Sequence, residues 1–253
     1  MDTRPIGIFD SGAGGLTVLH ECLVTLPHED FVYLGDGARC PYGPRSRDEI
    51  RRFAHEIASY LEGAGVKLIV AACNSATAAA LPQLQEKLEI PVIGVLATEA
   101  TVASGRYEEA VHALDAGAHV YSTACPSLVP LIESAAPNEE IDAAVRAYAQ
   151  PLKVAGVDTV ILGCTHYPLI KPVFERVFGR RTTLIFSAVE TAREVAETLE
   201  RKGIENDPAR EGSSGFLTTG TVDEFRALGE RFLQLPLAKV EQVAIRDLEL
   251  AAA

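Results

Sequence analysis

Two cysteines stand at strand-to-helix turns, where thiol chemistry is most accessible. Cys73 follows the apolar run Leu68-Ile69-Val70-Ala71-Ala72 and precedes Asn74-Ser75, while Cys164 follows Thr159–Gly163 and precedes Thr165-His166. A thiol at such a turn lies beside the free N–H groups and positive end of a helix, which favour thiolate and lower its pKa from about 8.5. Two opposed thiols can invert a stereocentre without a cofactor, one taking a proton from carbon and the other returning one to the opposite face. The same residues also allow nucleophilic attack by one Cys with His166 as its base. Asp10, in the loop Asp10-Ser11-Gly12-Ala13-Gly14-Gly15, adds a carboxylate able to orient a substrate ammonium or to tune an adjacent base. That loop is neither GxGxxG nor equipped with the lysine of a P-loop, so it reads as a tight turn and helix start. Cys22 and Cys125 read as packing, and Cys40, beside Pro41-Tyr42-Gly43, as lining a cleft without reacting. No HExxH, EF-hand loop or Cys/His cluster is present, so no metal is implied.

These residues need a scaffold, and the pattern around them supplies one. Short β-branched runs alternate with longer amphipathic stretches. Strands are expected at Pro5–Phe9, Phe31–Gly35, Lys67–Ala72, Pro91–Leu96, His119–Thr123, Thr159–Gly163, Thr183–Phe186, Gly215–Thr219 and Val240–Ile245. Helices are expected near 14–26, 46–63, 75–89, 104–114, 127–135, 138–153, 169–178, 187–202 and 221–233. Continuous apolar strands are those buried on both faces of a parallel sheet, and strand–helix alternation implies right-handed βαβ units. In such α/β folds ligands bind at the carboxyl ends of the strands, where Asp10, Asp36, Cys73 and Cys164 fall. The strand–Cys–helix pattern occurs twice, with the two cysteines 91 residues apart. Two such blocks face to face would set one thiol on each side of a shared cleft.

Composition bounds the function. The 253 residues are 47% hydrophobic, and 23 Lys+Arg against 35 Asp+Glu give a net charge of −12. Disorder is excluded, and a general affinity for nucleic acid or anionic membrane is not expected. Apolar runs fall short of the roughly 18 residues of a membrane span. Met1–Pro5 lacks the features of a signal peptide, and five scattered cysteines without CxxC suit a reducing cytoplasm. A homodimer is a candidate assembly.

The chain resembles the cofactor-independent glutamate racemases of bacterial cell-wall synthesis. The resemblance rests on Ile6–Val18, on Leu34-Gly35-Asp36 with Pro41-Tyr42-Gly43, and on Ala72-Cys73-Asn74-Ser75-Ala76-Thr77. It continues with Thr98-Glu99-Ala100-Thr101, Ala124-Cys125-Pro126 through Glu133, and Leu162-Gly163-Cys164-Thr165-His166-Tyr167-Pro168-Leu169. It implies two pseudo-symmetric α/β domains, with mostly parallel sheets flanked by helices and the active site in the interdomain cleft. Residues 1–96 plus 207–253 would form the first domain and 97–206 the second. Cys73 would act on the α-proton of D-glutamate and Cys164 on that of L-glutamate, with Asp10, Glu133 and His166 as auxiliary acid–base and positioning residues. Ser11, Pro41, Tyr42, Gly43, Asn74, Ser75, Thr98, Thr101 and Thr165 would contact substrate, and no cofactor is implied. Two departures are local: Gly37 replaces the usual Thr, and Phe186 a usually polar residue. A larger one lies at the junction. The family has a loop, a helix and a further strand after Ile93-Gly94-Val95, whereas here residues 91–97 run directly into Thr98. A parallel crossover takes a dozen or more residues, so either one sheet lacks an edge strand or one strand spans both domains.

Overall fold

The computed structural model describes residues 1–76, 92–94, 99–114, 120–155, 157, 159–237 and 239–253. Six strands form a wholly parallel sheet in the order β4-β3-β1-β2-β7-β8. They are β1 (Ile6–Asp10), β2 (Phe31–Gly35), β3 (Leu68–Ala71), β4 (Val92–Gly94), β7 (Ser214–Thr218) and β8 (Val240–Gln242). A second sheet pairs β5 (Thr159–Leu162) in parallel with β6 (Thr183–Phe186). β4 pairs with β3, so the junction strand serves the larger sheet, and among the described residues the smaller sheet has two strands.

The large sheet is covered on both faces, as its unbroken apolar strands require. Ile6 and Ile8 pack on one side with α1 (Leu16–Thr25), α8 (Ser187–Lys202) and α9 (Val222–Leu233). Phe9, Leu34 and Ile69 pack on the other with α2 (Arg47–Gly63) and Leu248 of α10 (Ile245–Ala251). α2 starts sharply because Ser46 and Glu49 close a reciprocal capping box, satisfying two donors that a helix start otherwise leaves free. The remaining helices are α3 (Glu99–Ser104), α4 (Arg106–Leu114), α5 (Leu128–Glu133), α6 (Asn138–Ala155) and α7 (Lys171–Phe178). Of these, α6 packs on α5 and α7, while α1 lies along α8. No helix among the described residues is long and apolar enough to cross a membrane.

Lys67 anchors the amino end of β3. Its fully buried ammonium lies 2.6 Å from Glu29 Oε2 and donates to the carbonyls of Asp2 and Ile204, each at 2.8 Å. A buried cation is tolerable only with such a complete set of partners, and here they tie the segment after α8 to the sheet. At the opposite edge the register sets the site. Phe9 pairs with Ala71 and Asp10 with Gly35, and the Cys73 N–H donates to the Phe9 carbonyl at 3.4 Å. Asp10 and Cys73 therefore emerge side by side.

Two expectations fail. No strand forms over residues 120–123, and His119 lies outside the described residues. The run is half-exposed and meets no strand among the described residues, and β propensity without a ladder partner does not make a strand. The expected strand to Ile245 stops at Gln242, because Ile245 opens α10 and buries Leu248 beneath α2.

Candidate active site

The half of the site on the large sheet is built around Cys73. A helical turn begins at Asn74, and the buried sulfur takes hydrogen bonds from the Ala76 N–H and from Ser11. The helix-start effect expected from the sequence is present, yet it loses. Burial, followed by the neighbouring Asp10 carboxylate, pushes the Cys73 thiol up to about 12. Asp10 is itself buried, and its Oδ2 accepts the Gly12 N–H at 3.0 Å. Burial raises its carboxyl, opposed by the His166 charge and by the N–H groups of Gly12 and Gly15. Cys73 and Asp10 are thus two neighbouring acids whose burial resists the ionisation of both.

Around this pair, Ser11 also reaches Cys40, which is half-buried and pushed up to about 12 by burial and then by the charges of Glu133, Asp10 and Asp36. Tyr42 is buried, and its hydroxyl donates to Asp36. Asp36 is held in turn by Thr219 Oγ1 at 2.6 Å and Arg39 Nε at 2.7 Å, and Arg39 pairs onward with Glu56.

The second half follows β5. Thr17 of α1 donates to the Thr165 carbonyl at 2.7 Å, and Gly14 lies against His166, which joins the two strand-end loops. Cys164 is buried, with its sulfur 3.9 Å from His166 Nδ1. His166 Nε2 lies 2.9 Å from Glu133 Oε1, and the edge of the imidazole meets the Phe232 ring at 4.9 Å. Burial alone would lower the His166 pKa. The hydrogen bonds to Cys164 and Glu133 outweigh it and push the value up to about 10, so the ring is an imidazolium at neutral pH. Cys125, read as packing, stands beside Tyr167 and close enough to Cys164 to feel its charge, as does Tyr107.

A pH dependence follows from His166. Its folded pKa of about 10 lies above the ordinary 6.5, so protonation favours the folded state. That contribution is full below pH 6.5, declines above it and is gone beyond about pH 10. Urea unfolding across this range should show the decline, and Glu133→Gln should complete it at lower pH.

Asp10, Ser11 and Cys73 thus gather at one strand edge, and Cys164, Thr165, His166 and Glu133 at the other. The two meet where Thr17 holds the Thr165 carbonyl and Gly14 lies against His166, and the Asp10 carboxyl feels the His166 charge. Asn74, Ser75 and Thr101 are buried, Gly43 is half-buried, Pro41 is exposed, and Thr98 lies outside the described residues. Among the described residues, Asn74 Oδ1 and Thr101 Oγ1 are buried and find no hydrogen-bond partner, a state that a bound ligand would relieve. Phe232 and Tyr107 carried no sequence signal, since nothing local marks a residue that reaches a site by tertiary packing.

Known proteins match this chain. The family described as Asp/Glu/Hydantoin racemase matches residues 17–96 and again 93–195, so residues 93–96 are claimed by both matches. The chain is 42% identical to the glutamate racemase of Bacillus cereus, over 95% of this chain and 97% of that protein. The alignment runs over 262 positions but takes in only 95% of the 253 residues here, so that relative carries about twenty residues with no counterpart in this chain. Among solved structures, a glutamate racemase isoform of Bacillus anthracis superposes with a TM-score of 0.90 at 39% identity, covering 97% of this chain and 99% of that one. The glutamate racemase of Francisella tularensis in complex with D-glutamate superposes with a TM-score of 0.89 at 33% identity, covering 96% and 98%. With identity at this level along nearly its whole length, the chain belongs to the glutamate racemase family.

Proposed function

We propose that the chain interconverts L- and D-glutamate by two-thiol acid–base chemistry without a cofactor, and that it supplies D-glutamate for peptidoglycan. The observation that carries this reading is the placement of Cys73 and Asp10 at one strand edge and of Cys164, His166 and Glu133 at the other, with the two edges joined by Thr17 and by Gly14 against His166. In the L-to-D direction Cys164 takes the α-proton and Cys73 delivers one to the opposite face. The resting state of Cys73 suits the form that takes up L-glutamate. Cys73, pushed up to about 12, rests as the thiol that must donate. The His166 cation, 3.9 Å from Cys164 Sγ, offers a counter-charge to a thiolate there.

An amino-acid α-proton is far less acidic than a thiol, so the developing carbanion needs preorganised donors in a dry site, each worth about 3 kcal/mol. Burial of both sulfurs supports such a site. Ser11, Pro41, Tyr42, Gly43, Asn74, Ser75, Thr98, Thr101 and Thr165 are the proposed substrate contacts, with Asp10 serving Cys73, and Glu133 and His166 serving Cys164. The proposed domains are 1–96 plus 207–253 and 97–206. The strand origins support this division, since the large sheet draws on residues 6–94 and 214–242 and the small one on 159–186.

Incubation with L-glutamate in heavy water is expected to erase optical rotation and to place deuterium on the α-carbon. L-Aspartate and other L-amino acids are expected to keep their rotation. Calorimetric binding of glutamate without isotope exchange would overturn the activity and point instead to an inactive binding protein with a shortened junction.

A further inference from the structure

Helix α9 belongs to the large sheet by its packing, against α1 and β8, and it buries Phe225, Phe232 and Leu233 in that core. Its last turn nevertheless reaches the other half of the site. Arg231 Nη1 donates to the Glu133 carbonyl and Nη2 to the Ile132 carbonyl, each at 3.0 Å. Both belong to the last turn of α5, at the negative end of the helix dipole, and the Ile132 carbonyl also accepts the Ala135 N–H at 3.2 Å. The guanidinium bridges these two carbonyls and fixes the backbone from which the Glu133 side chain leaves. That carboxylate holds His166 Nε2 at 2.9 Å, and Nδ1 of the same ring addresses Cys164 at 3.9 Å. The next residue, Phe232, sets the ring's tilt from the side at an interplanar angle of 79°.

We propose that Arg231 is a positioning residue for the Cys164 half of the site, holding the helix end that carries Glu133 and, through Glu133, the imidazole of His166. The inference rests on the reading that this half works through His166. Arg231 touches none of the reacting groups, and its side chain is exposed, so α9 keeps its buried apolar face without it. The groups facing His166 are Cys164, Glu133, Asp10, the Thr165 hydroxyl and the Phe232 ring. Of these, Glu133 is the one that Arg231 holds directly.

The test uses the full chain with ¹⁵N-labelled histidine, following the His166 titration by NMR alongside racemisation kinetics. Arg231→Ala is expected to lower kcat about tenfold with KM changed less than about twofold, and to lower the His166 pKa by about one unit. Arg231→Lys should recover most of both effects, and in a Glu133→Gln background Arg231→Ala should change neither. An unchanged His166 titration in Arg231→Ala, or an undiminished effect in the Glu133→Gln background, would overturn the proposal. Arg231→Gln serves in place of Arg231→Ala if that variant does not fold. If the unsubstituted protein fails to racemise glutamate, the proposed function fails, and the His166 titration alone still decides the role of Arg231.

Discussion

Cys73→Ala and Cys164→Ala, made singly, are each expected to lower racemisation of L-glutamate by roughly 10³-fold, with the fold retained by circular dichroism. Each thiol serves one face of the α-carbon, so removing either leaves that face without its acid or base, whatever remains opposite. Two groups acting as one unit are not additive, and the double variant should be little slower than either single one. Serine at either position keeps a hydrogen-bonding oxygen but is a far weaker acid, so Cys73→Ser and Cys164→Ser should fall close to the alanine variants. Removal of one buried sulfur leaves a small void of about 1 kcal/mol in stability, which thermal unfolding can separate from lost catalysis. A single variant that keeps more than about a tenth of the parent rate would sink the two-thiol scheme, because general acid–base groups contribute far more than that.

The parts of this site legible in the sequence are those that local structure alone positions. Asp10 ends one apolar parallel strand, and Cys73 and Cys164 each lie two residues past another, which places all three at the carboxyl edge where α/β folds bind ligands. His166, two residues beyond Cys164, shares that edge. Glu133 entered only through the family resemblance, since nothing in Leu128–Glu133 announces that its carboxylate meets a histidine 33 residues later in the chain. Arg231 and Phe232 were invisible, because they reach the site from a helix whose apolar pattern reports only the face it buries. The state of Cys73 was misjudged for a similar reason. A helix start can be read from sequence, but the depth of burial and the distance to Asp10 cannot, and together they outweigh the N–H groups. The junction is the converse case: the missing segment was plain in the sequence, and β4 joins the large sheet by pairing with β3.

Gly14→Ala is the smallest change expected to disable the site, by about 10²-fold in kcat. The constraint on this glycine is close approach. A Cβ built at Gly14 would stand 2.2 Å from His166 Cε1, 2.5 Å from Nδ1 and 2.7 Å from Thr165 Oγ1. The imidazole is held on three sides. Its Nε2 is held by Glu133, the Phe232 ring meets its edge, and Cys164 lies on the Nδ1 side. The loop has little room as well, since the Gly14 carbonyl accepts from Thr17, which also ties down the Thr165 carbonyl. The methyl must therefore either part the two strand-end loops or turn His166 away from Glu133. Either response moves the ring relative to the Cys164 sulfur, and misplacement by about 1 Å is enough for a loss of this size. Overpacking should also lower stability by about 1–3 kcal/mol, read by urea unfolding. The two responses separate by NMR: a ring turned from Glu133 titrates well below 10, whereas parted loops that keep the pair intact leave the His166 titration in place while kcat still falls. Gly14→Ala with near-parental kcat would mean that the two loops do not meet as closely in solution, and the joining of the two strand edges would then lose its geometric basis.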